Sequence, residues 1–481
     1  MRMKKPNLTM LVDFYEITMA NGYFLSDKGD DIATFDLFFR NLPYGSGYAI
    51  MAGVEQVVEY LNELRFSDGD IEYLRGKGIF DEKFLDYLRN FKFECDVWAA
   101  PEGTPIFPRE PILMVRGPMI QAQLIETMLL LKINHQSLIA TKANRIVRAA
   151  GDRPVFEFGT RRAQGASAAV FGARAAYVGG CAGTACTMAD QEFSVPVMGT
   201  MAHSWVQSFE DEYEAFKAYA KSYPDNVVLL VDTYDVLRSG VPNAIKIFDE
   251  YAPVNKGIRI DSGDVTYLTK QARKMLDDAG HTDCKIVVSN SMDEYIIRDV
   301  LLQGAKIDSF GVGERLITSK QDPVFGGVYK LSTIMRNGET VPTLKVSENL
   351  DKITNPGFKK VYRLFDNNSG KAIADVITLA DEVIDDSKPY TIFDPRAIWK
   401  KKVVESFTAT ELLKPIFIKG RCVYESKDIE STRKYCKEQL DTLWDEVTRF
   451  ENPQDYFVDL SKKLWELKQK LLEEYGERNV R

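Results

Sequence analysis

Histidine is scarce in this sequence: three in 481 residues, at His135, His203 and His281. The six cysteines, Cys95, Cys181, Cys186, Cys284, Cys422 and Cys436, form no C-x-x-C pair, and none stands at zinc-like spacing from a histidine. This usage argues against a zinc module and predicts reduced core or surface thiols in a cytoplasmic protein. Basic charge is not in excess: 62 Lys and Arg against 70 Asp and Glu give −8. A global field for nucleic acid is therefore missing, while a local basic pocket for a phosphate remains open. No apolar run reaches the roughly 18 residues of a membrane span, so no membrane association is expected. The opening stretch MRMKKPNLTMLVDFYEITMANGYF has a basic tip, but Asp13 and Glu16 interrupt it, and it does not read as a signal peptide. Solenoid repeats and low-complexity tracts are also missing.

What is present is an ordinary globular composition, 45% hydrophobic and 27% charged. Three regions follow one another. Residues 1–140 mix an alternating strand (IATFDLFFRNLP, from Ile32), a helical period (GYAIMAGVEQVVEYLNEL, from Gly47) and short strands broken by Pro and Gly (from Asp96). A long helical stretch then runs to Gly151, with a break expected near Asn134.

Across 141–330 short apolar runs recur, each followed by a helical stretch. They end at Arg161, Gly180, His203, Asp235, Asp264, Ser291 and Glu314. Apolar runs without alternation suit parallel strands buried on both faces. The repeat predicts an α/β fold, either an open doubly wound sheet or an α/β barrel, and both place chemistry at the carboxyl ends of strands. Residues 331–481 read as hairpins, one turning at NNSG, and then two helices. The first of these is expected to present Leu440, Leu443, Trp444 and Val447 on one face, and the second begins in PQDYFVDL.

The strand ends hold the reactive side chains. In VMGTMAHSW, His203 follows an apolar run and precedes a helix start that Ser204 is placed to cap. A neutral imidazole there can serve as base or nucleophile. Asp232 and Asp235 (VDTYD) and Asp261 (RIDSGD) end neighbouring strands. Asp261 or Ser262 alternatively caps the next helix. Arg161 and Arg162, in EFGTRRAQG, stand at a helix start, where cations are unfavourable unless an anion lies between them. Phe158 beside them can stack a flat ring. Arg259, two residues before Asp261, can share its mouth. Ser289 and Asn290 (VSNS) and Gly311 and Gly313 (FGVGE) offer small residues and amides for a phosphate. An acidic pair facing arginines suits a phosphorylated sugar with Mg²⁺. His135 is expected to pack a helix and His281 to sit in a surface loop. Lys142 and Arg145 share a helix face, either extending the anionic pocket or facing solvent.

Together LVDFYEITMANGYF, EFGTRRAQG, GTMAHSW, VDTYD, IRIDSGD and FGVGERL, in this order, resemble the nicotinate phosphoribosyltransferases, a branch of the type II phosphoribosyltransferases. The likeness covers most of residues 1–335. It implies an N-terminal α/β sandwich domain, an irregular, incomplete α/β barrel carrying the active site, and C-terminal helices packing back on both. It also implies a homodimer with shared active sites. The implied reaction joins nicotinate to 5-phosphoribosyl-1-pyrophosphate (PRPP), with Mg²⁺ as cofactor and ATP as co-substrate, through a phosphorylated His203. Phe158 would stack on the pyridine ring opposite Tyr15 of the partner subunit. Arg161 and Arg259 would hold its carboxylate, and Asp232 and Asp261 would serve ribose hydroxyls, Mg²⁺ or the phosphohistidine. Gly311 and Gly313 would receive the 5′-phosphate, with Arg40 reaching a neighbour's phosphates. No fixed protein metal site is implied; Mg²⁺ would enter with substrate.

The related nicotinamide-using enzyme carries an aspartate in its Gly-Thr-Asp motif, where this chain has Thr184-Ala185. Without that carboxylate, the acid is favoured over the amide. The same stretch, GTAC, departs from the Gly-Thr-Ser-Asn common in the nicotinate family. A quinolinate-type enzyme of this fold would need more cationic groups for a second carboxylate. A noncatalytic relative that binds NAD precursors would be expected to lose His203, Asp232 or Asp261, and all three are present. An aldolase would want a Schiff-base lysine, which none of the strand ends supplies.

Overall fold

The computed structural model describes residues 7–289, 291–336, 338–349 and 352–479. The chain forms two compact units. The first comprises Met1–Leu138, Val324–Lys427 and Lys434–Arg481, and the second Ile139–Pro323 and Asp428–Arg433.

The first unit is built on strands β1 (Ile32–Phe39), β2 (Ala49–Ile50), β3 (Asp96–Ala99), β4 (Pro105–Ile106) and β5 (Leu113–Pro118). β1 lies inside a seven-stranded sheet, between β5 and the strand Gly327–Arg336, both antiparallel to it. The alternation of β1 suggests one wet face, yet its residues from Ala33 to Phe39 are all buried. The polar side is covered too, because the Lys359 ammonium lies 2.8 Å from the Asp36 carboxylate beneath it. The helical period from Gly47 begins later than expected. Gly53 takes a left-handed φ of 98°, and the helix runs Val54–Glu63. The long helical stretch breaks at Leu124 rather than near Asn134, leaving a continuous helix over Glu126–Ala150. Asn134 is accommodated because Gly327 lets its amide approach: a Cβ there would stand 2.1 Å from Asn134 Oδ1.

Toward the C-terminus the NNSG turn joins Lys359–Asp366 to Ala372–Leu379 as a hairpin. The first late helix, Ile429–Asp441, ends before Leu443 and Val447, which are buried from a following turn, while Trp444 is 41% exposed. The second starts only at Lys462, since Val458–Leu460 joins the hairpin as a parallel strand.

The second unit holds the parallel sheet: β6 (Val155–Glu157), β7 (Gly183–Thr184), β8 (Asn226–Leu230), β9 (Asn255–Ile260), β10 (Lys285–Val288) and β11 (Ser309–Val312). The spatial order is β7-β6-β11-β10-β9-β8, curled as a half-barrel. Val227, Leu229, Ile258, Ile260, Ile286, Val288, Phe310 and Val312 are fully buried, as their unbroken apolar runs require.

Two expected strands are not formed. AAYVGG closes the helix Ala166–Val178, an alanine-rich run with high helix propensity. The run before His203 makes one bridge, Thr184 to Val197, and Val197 and Met198 are 48% and 41% exposed. Pro196 lacks an N–H and Gly199 packs nothing, so the run cannot continue a ladder. The short β7 takes the place in the sheet instead. From Val197, beside the β7 edge, the chain crosses to the far edge of the sheet, where His203 meets the loop after β8. Among the described residues no helix is long and apolar enough to cross a membrane.

Candidate active site

His203 is the first residue of a short helix, His203–Gln207, capped by Ala202 without a side-chain bond, so Ser204 is not its cap. The imidazole is held from both sides. Nδ1 lies 3.2 Å from Thr233 Oγ1, and Nε2 lies 3.8 Å from Asp261 Oδ2. The side chain is 40% exposed, open enough for a ligand to reach.

Asp261 does not cap the next helix, and neither does Ser262. That role belongs to Asp264, which accepts from Tyr267 N at 3.0 Å after Gly263 turns the chain with φ 82°. Asp261 Oδ1 instead accepts from Ser289 Oγ at 2.6 Å, and Ser289 Oγ accepts from Arg259 Nε at 2.8 Å. Arg259 Nη1 donates to Thr200 Oγ1 at 2.7 Å and to Met201 O at 3.0 Å. Its Nη2 has Asp261 Oδ1 at 3.7 Å. The VDTYD pair divides. Asp235 caps a turn through Leu237 N and Arg238 N, whereas Asp232 joins the cluster. Asp232 Oδ2 accepts from Asp261 N at 3.0 Å and Ser262 Oγ at 2.6 Å, and its Oδ1 is buried with no hydrogen-bond partner among the described residues. A buried carboxylate oxygen left open is where a cation fits, so the residues suit Mg²⁺ delivered with a phosphorylated substrate. Among the described residues no three His, Cys, Asp or Glu side chains gather into a self-sufficient metal site.

Beside this cluster Phe158 forms a half-buried shelf at the end of β6. Gly311 is glycine because of that ring: a Cβ there would stand 2.4 Å from Phe158 Cδ2. The space above Gly311 is thus filled by the shelf. Gly313 precedes the turn Glu314–Ile317, and its Cβ position lies 3.2 Å from Phe158 O. Arg161 and Arg162 are exposed on a 3₁₀ turn, Thr160–Arg162, and the helix opens only at Ala166. Thr184 is buried at the end of β7, and Ala185 is exposed next to it. Asn290 lies outside the described residues. Tyr15 and Arg40 belong to the first unit. Tyr15 is 45% exposed, its phenol pushed up to about 12 by desolvation and by Glu126, Glu16 and Asp13. Arg40 lies 5.7 Å from the Phe38 ring, with its Nε buried and without a hydrogen-bond partner among the described residues.

Sequence reasoning missed Glu157, Thr233 and Thr200, which act on partners far along the chain. It also misplaced three side chains. His281 is buried against Phe248 and Asp249 rather than in a surface loop. Lys142 and Arg145 face neither solvent nor an open pocket, because both bind the buried Glu294 carboxylate, at 2.5 and 3.1 Å. His135 is half-buried in its helix, and desolvation lowers its imidazole to about 4.

The family models for the nicotinate phosphoribosyltransferase N-terminal domain, family region and C-terminal domain match residues 10–134, 154–355 and 358–468. The nicotinate phosphoribosyltransferase of Bacillus subtilis is 44% identical over 99% of this chain and 97% of its own length. The chain belongs to the nicotinate phosphoribosyltransferase family. The human nicotinate phosphoribosyltransferase is 31% identical over 95% of each chain. A crystal structure of human nicotinic acid phosphoribosyltransferase superposes with a TM-score of 0.84 at 29% identity, covering 96% of this chain and 100% of that one. Nicotinate phosphoribosyltransferases are enzymes, and His203 stands at the carboxyl-end mouth of the half-barrel, where α/β-barrel enzymes in general carry their chemistry.

Proposed function

We propose that this chain joins nicotinate to PRPP, giving nicotinate mononucleotide and pyrophosphate, and couples the reaction to ATP hydrolysis through a phosphorylated His203. The observation that carries the reading is the network His203–Asp261–Ser289–Arg259 at the carboxyl ends of parallel strands, beside the Phe158 shelf. The pyridine ring stacks on Phe158, with Tyr15 of the partner subunit on its other face in a cytoplasmic homodimer. Arg161 and the Nη2 edge of Arg259 hold the ring carboxylate, and Thr184-Ala185 leaves that side without a repelling acid. This orientation aims the unprotonated ring nitrogen at C1 of the ribose. Its lone pair forms the N–C1 bond as the C1–O bond to pyrophosphate breaks. Asp232 and Asp261 hold the ribose hydroxyls, and Asp232 Oδ1 would hold Mg²⁺. When bound, Mg²⁺ supplies positive charge that stabilises the leaving pyrophosphate. Ser289, Asn290, Gly311 and Gly313 serve the phosphates, and Arg40 reaches a neighbour's phosphates.

In the coupled half-reaction an imidazole nitrogen of His203 forms a bond to the γ-phosphorus of ATP, and the P–O bond to ADP breaks. Water later takes the phosphoryl group as phosphate. While present, that group adds anionic oxygens beside Asp261 and changes how the mouth holds PRPP and product.

Purified protein is incubated with PRPP and Mg²⁺ and offered nicotinate or nicotinamide. Formation of nicotinate mononucleotide, with the amide consumed poorly, is expected. Turnover of nicotinamide alone would move the assignment to the amide-specific relative, and no turnover of either ring would make the chain a noncatalytic precursor-binding relative.

A further inference from the structure

We propose that Glu157 is the positioning residue of the base pocket, a clamp that fixes the gap between the Phe158–Arg161 turn and the Thr184–Ala185 strand end. The inference rests on the function proposed above and adds to it a residue that touches no substrate.

β6 and β7 lie side by side and parallel, with Phe156 opposite Gly183 and Glu157 opposite Thr184. Strand alternation sends Phe158 to the mouth and Glu157 inward, where it is fully buried. Its two carboxylate oxygens go to different strand ends. Oε1 accepts from the amide of Gly159, the residue that leads into the turn carrying Arg161. Oε2 accepts from Thr184 Oγ1 at 2.6 Å, and Thr184 Oγ1 in turn accepts from Cys186 N at 2.9 Å. The Glu157 carbonyl takes the Ala185 amide at 2.8 Å. Ala185 is therefore pinned from both sides, and Phe158 is enclosed between Glu157 and the residue its carboxylate holds.

The clamp leaves a mark on the sequence. Gly159 admits no side chain, because a Cβ would stand 2.8 Å from Glu157 Oε1 and 2.5 Å from Ile317 Cγ2. Burial raises the Glu157 carboxyl, against the two hydrogen bonds that lower it. A buried acid without a charged partner is costly where a hydrophobe would pack. A carboxylate suits this place because it can accept on both oxygens at once. Glutamine cannot: one end must accept from Gly159 and the other then offers N–H groups to a threonine hydroxyl left without its acceptor.

The test uses the full-length protein and four variants, Glu157→Gln, Thr184→Val, Thr184→Ser and the Glu157→Gln/Thr184→Val double. Glu157→Gln is expected to raise KM for nicotinate about tenfold, the equivalent of one lost hydrogen bond, with KM for PRPP unchanged. Thr184→Val should do the same, the double variant should do no worse than either single, and Thr184→Ser should restore wild-type behaviour. In the ligand-free protein, amide exchange over Phe158–Arg162 and Thr184–Thr187 should quicken about tenfold in Glu157→Gln. Unchanged exchange in those two segments overturns the clamp, whatever the substrate proves to be. So does an active variant with an unchanged nicotinate KM, or one in which both KM values rise while the active fraction falls. If wild type makes no nicotinate mononucleotide, the function proposed above falls, and the exchange measurement still decides the clamp.

Discussion

Gly311→Ala isolates the shelf. The backbone of Gly311 is not left-handed, so alanine is conformationally allowed and the effect is steric alone. The new methyl would lie 2.4 and 2.5 Å from Phe158 Cδ2 and Cε2 and 3.1 Å from Ser289 Cβ. Carbon atoms prefer about 3.5–4.0 Å, so the ring must withdraw by about 1 Å. Ser289 hems the methyl on the other side, which leaves the ring as the group that moves. Overpacking of this kind costs about 1–3 kcal/mol. Misplacing a substrate-positioning group by about 1 Å costs on the order of 100-fold in rate. Both quantities are measurable on purified protein, as the melting transition and as kcat/KM for nicotinate. The decisive comparison repeats the substitution in a Phe158→Ala background. There the clash is gone, and the added methyl should cost close to nothing in stability while activity stays low. An equal cost in both backgrounds would refute the assignment of Gly311 to the ring.

Other outcomes follow from the same geometry. Burial, with Asp394 nearby, raises the Asp459 carboxyl from 3.8 to about 7. The folded state therefore keeps this proton more tightly than the unfolded chain. The group's contribution to stability is intact below pH 3.8 and is lost as pH rises to about 7; the change is about 4 kcal/mol, and Asp459→Asn should flatten it in melting curves recorded across that range. Lys142→Met leaves the fully buried Glu294 with Arg145 as its remaining cation, and calorimetry should register a loss of about 3 kcal/mol. Asp232→Asn alters the carboxylate that offers the open oxygen, so the Mg²⁺ concentration for half-maximal rate should rise on the order of tenfold; an unchanged Mg²⁺ dependence would remove Asp232 from the cation's shell.

How far the sequence could be read depends on where each signal lies. VVLL and IVV, after the exposed Asn226 and Lys285 that open their strands, declare themselves because neither face of the run is exposed enough to call for a polar residue. Gly183–Thr184 gives no such signal, since two residues have no period, and its place is set by pairing with β6. AAYVGG and the run before His203 mislead in opposite ways. The first is apolar because its helix is buried on most sides. The second is apolar although much of it is exposed at the mouth. The site is legible where a residue type is unusual for its position, as with His203, Asp232, Asp261 and the arginines. It is illegible where the role depends on a partner some thirty residues away. Thr233 matters through His203, and Glu157 through Thr184, and neither pairing leaves a trace in local composition. Lys142 looked like a solvated helix face because its counter-ion, Glu294, lies on another helix altogether.

The proposed coupling of ATP to the reaction runs through His203. Its most direct test is transfer of the labelled γ-phosphoryl group of ATP to the protein, located by mass spectrometry under conditions that preserve phosphohistidine. Label is expected on His203 in wild type and absent in His203→Ala, with ATP stimulation of nicotinate mononucleotide formation only where the label forms. ATP stimulation that persists in His203→Ala, or label on another residue, would contradict it.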